Sequence, residues 1–74
     1  MAGRATLYVM SGCPHCEAAR RALTARGFAV TEIDVGARRE AIPELLKLTK
    51  GRRIVPVIVE GARIQIAPEG GSEF

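Results

Sequence analysis

The sequence predicts an α/β fold of the order β-α-β-α-β-β, in which a four-stranded mixed sheet is flanked by helices. Three observations support this prediction: β-forming runs alternate with helix-forming runs, short links separate them, and a tight turn joins the last two strands. The opening β-α-β unit implies a right-handed crossover and parallel pairing of the first two strands. The tight turn makes the last two strands antiparallel. A chain of 74 residues suits one domain, residues 1–74.

The first half of the chain contains two predicted strands and one helix. Residues 5–10 are apolar and rich in β-forming side chains, as expected of a strand buried on both faces. A run of strong helix formers follows from the motif at residues 13–16 to Gly27. Pro14 suits the first helical turn, because its missing N–H costs no hydrogen bond there. Residues 28–35 form the second predicted strand.

One face of this helix carries the side chains expected to be buried: Cys16, Ala19, Ala22 and Leu23. Cys16 is therefore expected to point inward, whereas Cys13 lies before the helix proper.

The second half contains one predicted helix and two strands. Apolar side chains at the i, i+3, i+4, i+7 spacing predict a helix that begins near residues 41–42 and is closed by Gly51. Residues 55–59 predict a third strand with a proline near its start. Residues 63–66 alternate polar and apolar side chains and predict a half-buried fourth strand. The tail, residues 67–74, is predicted to be a loop.

The charge of the chain indicates which partners to expect. Eleven Lys and Arg residues against eight Asp and Glu residues give a formal net charge of +3 at pH 7. The cations occur in scattered pairs and only 4% of the residues are aromatic, so the basic stripe and stacking platform of nucleic-acid-binding proteins are missing. We therefore expect no nucleic-acid partner. A small anionic ligand suits this charge better.

No segment of the sequence predicts export or membrane insertion. The N-terminal apolar run is too short for the core of a signal peptide, and no run approaches the roughly 18 residues of a spanning helix. We therefore expect a cytoplasmic protein without a membrane partner. Because cytoplasmic thiols are kept reduced, the two cysteines indicate redox or metal chemistry rather than a structural disulfide.

The Cys-Pro-His-Cys motif at residues 13–16 supplies the candidate catalytic residues. A thiol at a helix start lies beside unpaired N–H groups and the positive end of the helix dipole, which stabilise a thiolate. Cys13 is therefore the predicted nucleophile, and Cys16 is the thiol that resolves the mixed disulfide. Pro14 limits the backbone freedom between them. A protonated His15 would stabilise the thiolate further and make the site more oxidising; the alternative is an exposed side chain without effect on the sulfur.

Metal binding is the main rival interpretation of this motif. Structural zinc usually takes four ligands, whereas Cys13, Cys16 and His15 offer three at most. We therefore predict no metal site within one chain. A dimeric zinc or iron–sulfur carrier that uses Cys13 of two protomers stays an alternative. Two inert core cysteines would explain Cys16 but not its partner.

The sequence resembles the glutaredoxin family of the thioredoxin-like superfamily over residues 5–66. The resemblance rests on the following motifs: the first strand with Cys13-Pro14-His15-Cys16, Ala19-Arg20, Leu23, Gly27-Phe28, Glu32-Ile33-Asp34-Val35 and Lys50-Gly51-Arg52-Arg53-Ile54-Val55-Pro56. It implies a thiol–disulfide oxidoreductase that acts on protein disulfides or glutathione mixed disulfides. It also implies no bound cofactor, with glutathione as the reductant.

The resemblance also implies which residues would bind glutathione. It implies a cis bond between Val55 and Pro56, and a Val55 backbone that pairs with the peptide of glutathione. Met10 stands where the family usually has a ligand-binding lysine, and Arg52 or Arg53 is the candidate replacement, of which we select Arg53. The alternative is that the two arginines form a solvated surface pair. The family's γ-glutamyl-binding element resembles the run Gly70-Gly71-Ser72-Glu73, of which we select Gly70, Gly71 and Ser72 as candidate glutathione-binding residues.

Two departures from the family suggest different partners. The missing lysine and the shifted Gly-Gly run favour an alternative electron donor, a flavin reductase of the thioredoxin-reductase type. The chain also stops where the family has a final helix. We therefore expect one open sheet face that exposes Ile58, Ile64 or Ile66. Either a homodimer or the folded-back tail, with Phe74 as a plug, is expected to cover it.

Overall fold

The computed structural model describes residues 3–68 and 70–73, and its main feature is a four-stranded mixed sheet. In chain order the elements are β1 (Arg4–Val9), α1 (Pro14–Ala25), β2 (Ala29–Asp34), a 3₁₀ turn (Arg39–Ala41), α2 (Ile42–Thr49), β3 (Ile54–Val55), β4 (Val57–Glu60), β5 (Arg63–Ile66) and β6 (Ser72–Glu73). The strand order of the sheet is β2-β1-β4-β5. β1 and β2 are parallel, and β4 pairs antiparallel with both β1 and β5, which confirms the predicted α/β topology.

One helix lies on each face of the sheet. Successive side chains of β1 point to opposite faces, and Leu7 and Tyr8 accordingly pack in two different cores. The core on the α1 face consists of Ala5, Leu7, Ala19, Leu23 and Ile58. The core on the α2 face consists of Tyr8, Cys16, Val35, Ala41, Leu45, Val55 and Val57. Cys16 thus extends from α1 into the core of the opposite face, where it is held among buried side chains of β3, β4 and α2.

The ends of α1 follow the local signals of the sequence. Cys13 is the N-cap and Pro14 is the first helical residue, as predicted. Arg26 caps the C-terminus, and Gly27 with φ +87° takes the left-handed conformation that glycine adopts without strain. The buried residues of α1 are Cys16, Ala19 and Leu23, whereas Ala22 is exposed, contrary to the prediction.

The predicted third strand is divided at Pro56 into β3 and β4, because proline has no N–H to donate to a neighbouring strand. The Val55–Pro56 bond is cis, as the resemblance implied. β3 does not join the main sheet and pairs instead with β6, in the tail that we expected to be a loop. No helix follows β5 in residues 67–68 and 70–73.

The predicted open apolar face is only partly correct. Ile58 is 4% exposed, whereas Ile64 is 43% exposed. In the β4–β5 ladder Ile58 lies opposite Gln65, and Val59 lies opposite Ile64, so Ile58 and Ile64 point to different faces. α1 covers Ile58, and the edge strand β5 leaves Ile64 in solvent. Phe74, the proposed plug, lies outside the described residues.

Neither helix in the described part of the chain has the length and apolar character needed to span a bilayer.

Candidate active site

The two cysteines lie at the start of α1, next to the C-terminal end of β1. As the N-cap, Cys13 has an extended backbone, and its Sγ accepts a hydrogen bond from the Cys16 backbone N–H at 3.3 Å. The Cys13 side chain is half-buried, whereas Cys16 is 4% exposed. Both are free thiols. The structure therefore gives the pair one accessible sulfur and one buried sulfur.

Two opposing influences act on the pKa of the Cys13 thiol. Burial, the largest single influence, raises it. Hydrogen bonds from the Cys16 side chain, the Cys16 N–H and the His15 N–H lower it, as does the hydrogen bond between Cys13 and the Ser72 hydroxyl. Together these hydrogen bonds outweigh burial, so the pKa of Cys13 lies below its ordinary value. Cys13 therefore carries more thiolate near neutral pH than an ordinary cysteine does.

The Cys16 thiol is shifted in the opposite direction. Burial, its hydrogen bond to Cys13 and the negative charges of Cys13 and Asp34 raise its pKa to about 12, although a hydrogen bond from the Met10 backbone lowers it. The first and largest of these causes is burial, which disfavours any anion. Cys16 thus stays protonated while Cys13 is the sulfur that ionises.

This asymmetry predicts the order of alkylation. Iodoacetamide at neutral pH is expected to label Cys13 before Cys16, and tandem mass spectrometry of the peptide that contains both will locate the label. Cys16→Ala removes one hydrogen bond that lowers the pKa of Cys13. The pH at which the labelling rate of Cys13 begins to rise should therefore be higher in this variant than in the wild type. Preferential labelling of Cys16 in the folded protein would contradict the assignment.

Three elements meet beside the Cys13 sulfur. Val55, at the end of β3, is fully buried in the same core as Cys16, and Cys13 packs against that core. Ser72 of β6 lies opposite Val55 in the two-stranded pairing. Its Oγ is 3.8 Å from the Cys13 Sγ. The structure thus brings together Cys13, Cys16, Val55 and Ser72, all of which were selected from the sequence.

His15, Gly70 and Pro56 lie on the α1 side of this cluster. They line a groove of ≈ 260 Å³ that continues along α1 past Leu23. The His15 ring is exposed and lies against Gly70, where an added Cβ would be 3.3 Å from the ring Cε1. It is the His15 backbone N–H that contributes a hydrogen bond to the Cys13 sulfur.

Arg53, by contrast, lines two other clefts. One is shared with Glu73 and the other with Met10 and Arg39. The cleft that contains Cys13 and Cys16 has a volume of ≈ 560 Å³ and is lined by Met10 but not by Arg53. Arg53 is therefore not among the residues that line the Cys13 cleft.

Charged side chains form one wall of the Cys13 cleft. Arg20 lies 3.3 Å from Glu32 of β2 and 3.8 Å from Glu17 of its own helix, and all three residues line the cleft. These side chains are about half exposed, so the ion pairs contribute little to stability. They make this wall of the cleft polar.

Sequence reasoning missed the side chains that position the two loops of the site. The Ser11 hydroxyl donates to Asp34 Oδ2 at 2.9 Å, and Asp34 Oδ1 accepts from the Gly36 N–H at 2.8 Å. This connects the loop before Cys13 to the end of β2. The buried Thr49 donates to the Arg52 carbonyl at 2.6 Å and so fixes the loop that leads into β3. Ser, Thr and Asp side chains next to strand and helix ends were the available signal.

Within residues 3–68 and 70–73, no three His, Cys, Asp or Glu side chains converge in an arrangement that could hold a metal ion.

Comparison with known proteins places this geometry in a family. The glutaredoxin sequence model matches residues 5–64, which is most of the chain. The chain belongs to the glutaredoxin family. Among solved structures it is similar to the glutaredoxin-like protein NrdH-redoxin from Escherichia coli, with 33% identity and a TM-score of 0.73. That match covers 85% of this chain and 80% of the other. The search of curated proteins found no match. This glutaredoxin has the thioredoxin-like fold and the features of a redox protein with a paired-cysteine motif.

Proposed function

We propose that this glutaredoxin is a dithiol thiol–disulfide oxidoreductase of the cytoplasm, with Cys13 as the nucleophile and Cys16 as the resolving thiol. The observation that carries the proposal is the opposite shift of the two thiol pKa values: that of Cys13 is lowered and that of Cys16 is raised to about 12. A low pKa and partial exposure are the properties of an attacking thiol, and a buried neutral neighbour suits the second step.

The reaction consists of two exchanges. The Cys13 thiolate attacks one sulfur of the substrate disulfide, forms a mixed disulfide and releases the other sulfur as a thiolate. Cys16 then loses its proton to solvent and attacks the Cys13 sulfur, which breaks the mixed disulfide and releases the second substrate thiolate. Two electrons have passed to the substrate, and Cys13 and Cys16 form a disulfide.

The first exchange prepares the second. The hydrogen bond to Cys13 and the negative charge of Cys13 are two of the causes that raise the pKa of Cys16. Both are lost once the Cys13 sulfur is bonded to the substrate. Burial and the charge of Asp34 still raise the pKa of Cys16 and the Met10 hydrogen bond still lowers it, so the pKa falls from about 12. Cys16 therefore becomes a better nucleophile only when there is a mixed disulfide to resolve.

Two electron donors are candidates for reducing the oxidised protein. Family membership supports glutathione, bound through Val55, Pro56 and the run Gly70–Ser72, with Arg53 as the cation. A flavin reductase of the thioredoxin-reductase type is the second candidate, and two observations favour it. The matched solved structure is described as having a thioredoxin-like activity profile. In this chain Ser72 pairs with Val55, and Arg53 does not line the Cys13 cleft.

A coupled assay tests the donor directly. The oxidised protein is supplied either with glutathione and glutathione reductase or with a thioredoxin reductase, and NADPH consumption is followed with a peptide disulfide as the final acceptor. We expect faster turnover with thioredoxin reductase. Faster turnover with glutathione would reverse this assignment and support the glutathione site. Cys13→Ser is the matched control, because it removes the thiol that either donor must reduce.

A further inference from the structure

The C-terminal segment returns across the active site. β5 ends at Ile66, and the chain turns at Ala67, a non-glycine residue with φ +43°. Gly70 has φ +103°, and β6 then runs antiparallel to β3, with Ser72 opposite Val55. We name residues 70–73 the strap. It lies between His15 on one side and the Cys13 sulfur on the other.

The close approach of the strap depends on its glycines. A Cβ on Gly71 would overlap the Val55 carbonyl oxygen and lie 2.9 Å from the Ala67 Cβ. A Cβ on Gly70 would press on the His15 ring at 3.3 Å. Larger side chains at either position would therefore hold the strap away from β3. The strap fits this edge of β3 because glycine stands at both positions.

The Ser72 hydroxyl lies next to the Cys13 sulfur. Its Oγ is 3.8 Å from the Cys13 Sγ, while its backbone pairs with Val55. Serine is the oxygen analogue of cysteine, so the strap places a non-exchanging hydroxyl where the half-cystine of an extended peptide would present its sulfur. An added strand at an exposed β-edge is a common way to bind an extended peptide.

We propose that the strap is a built-in pseudosubstrate: it occupies the β3 edge and the Cys13-facing position of an extended disulfide peptide, and such a peptide must displace it. This inference rests on the proposed function, since it assigns a substrate class to the same site. The cleft of ≈ 560 Å³ on the Met10 side also reaches Cys13 and is not lined by the strap. Small disulfides therefore have a route to the sulfur that leaves the strap in place.

The first test asks whether position 72 faces Cys13. In a Cys16→Ser background, Ser72→Cys leaves two thiols, and diamide takes one electron and one proton from each to form a disulfide. We expect an intramolecular disulfide between Cys13 and position 72, located by mass spectrometry. Glu73→Cys in the same background is the matched control, because successive side chains of a strand point to opposite faces. Equal cross-linking at both positions, or more at position 73, would overturn the proposed register.

The second test asks whether the strap excludes large reagents. Cys13 is alkylated with iodoacetamide and with a peptide-sized iodoacetyl compound, and the ratio of the two rates is compared among variants of the full chain. Gly71→Val introduces the clash with the Val55 carbonyl oxygen, and Ser72→Pro removes a backbone N–H from β6, outside the two core clusters of the fold. We expect both variants to raise the alkylation rate with the peptide-sized reagent several-fold relative to the rate with iodoacetamide. Ser72→Ala, which keeps the pairing, should retain the wild-type ratio.

A ratio that is unchanged in Gly71→Val and Ser72→Pro would overturn the proposal. Neither test requires turnover, so the strap and the redox function can fail separately. A protein that passes both tests but reduces no disulfide would retain the strap and lose the proposed function. A protein that reduces disulfides but fails both tests would retain the function and lose the strap.

Discussion

Substitution of Cys13 by serine is expected to abolish disulfide reduction, because a serine hydroxyl forms no anion near neutral pH and cannot exchange with a disulfide. Cys16→Ser should behave differently. The first exchange needs only the Cys13 thiolate, so this variant should form a mixed disulfide with a peptide substrate and accumulate it. Reactions that are quenched with acid at a series of times and analysed by mass spectrometry will distinguish the two outcomes.

The contrast between these variants is the informative result. If Cys13→Ser retains turnover, or if Cys16→Ser releases both substrate thiols without external thiol, the assigned roles are wrong. The partial exposure of Cys13 and the 4% exposure of Cys16 argue against exchanged roles. Cys16 lines the same cleft as Cys13, but its 4% exposure gives a peptide sulfur far less access to it than to Cys13.

Leu45→Ala is expected to have the largest effect on stability. Leu45 is fully buried on the inner face of α2, in the same core as Cys16 and Val55. Removing such a side chain costs about 2–5 kcal/mol, because its apolar contacts are lost and a cavity remains. Domains of ordinary size have a free energy of unfolding of about 5–15 kcal/mol, and a small domain lies toward the lower end. The variant should therefore be close to unfolding.

Urea denaturation of the reduced protein measures this loss through the shift of the midpoint at constant slope. Leu48→Ala is the matched control, since Leu48 lies in the same helix and is only partly buried. We expect a clearly smaller loss for Leu48→Ala. Equal losses for the two variants would show that the core is not organised as the structure describes.

The main elements of the fold could be predicted from the sequence because local signals agree with the tertiary structure. The β-rich first strand, the motif at residues 13–16 followed by helix formers, and the tight turn after β4 each favour only one arrangement. Parallel pairing of β1 and β2 follows from the crossover rule. Helical spacing predicts the inward direction of Cys16, and its 4% exposure confirms that it is buried. The same spacing fails for Ala22, which is exposed, and it does not predict that Cys16 packs in a different core from Leu23.

The strap could not be predicted in the same way. Residues 67–74 contain one proline and two glycines and have no period that indicates a strand. β6 forms because a non-local edge, that of β3, is available after Pro56 separates β3 from β4. Likewise, the opposite directions of Ile58 and Ile64 depend on the register of the β4–β5 hairpin. Contacts of this kind are set by tertiary pairing rather than by local sequence.

In the proposed dithiol mechanism, Cys13 and Cys16 together carry two electrons to a disulfide. The most direct measurement is a single turnover: the fully reduced protein is mixed with an equimolar peptide disulfide, quenched with acid, alkylated and analysed by mass spectrometry. We expect a Cys13–Cys16 disulfide that forms in step with the release of both peptide thiols. Two unreacted thiols, or a wild-type mixed disulfide that persists without resolution, would contradict it.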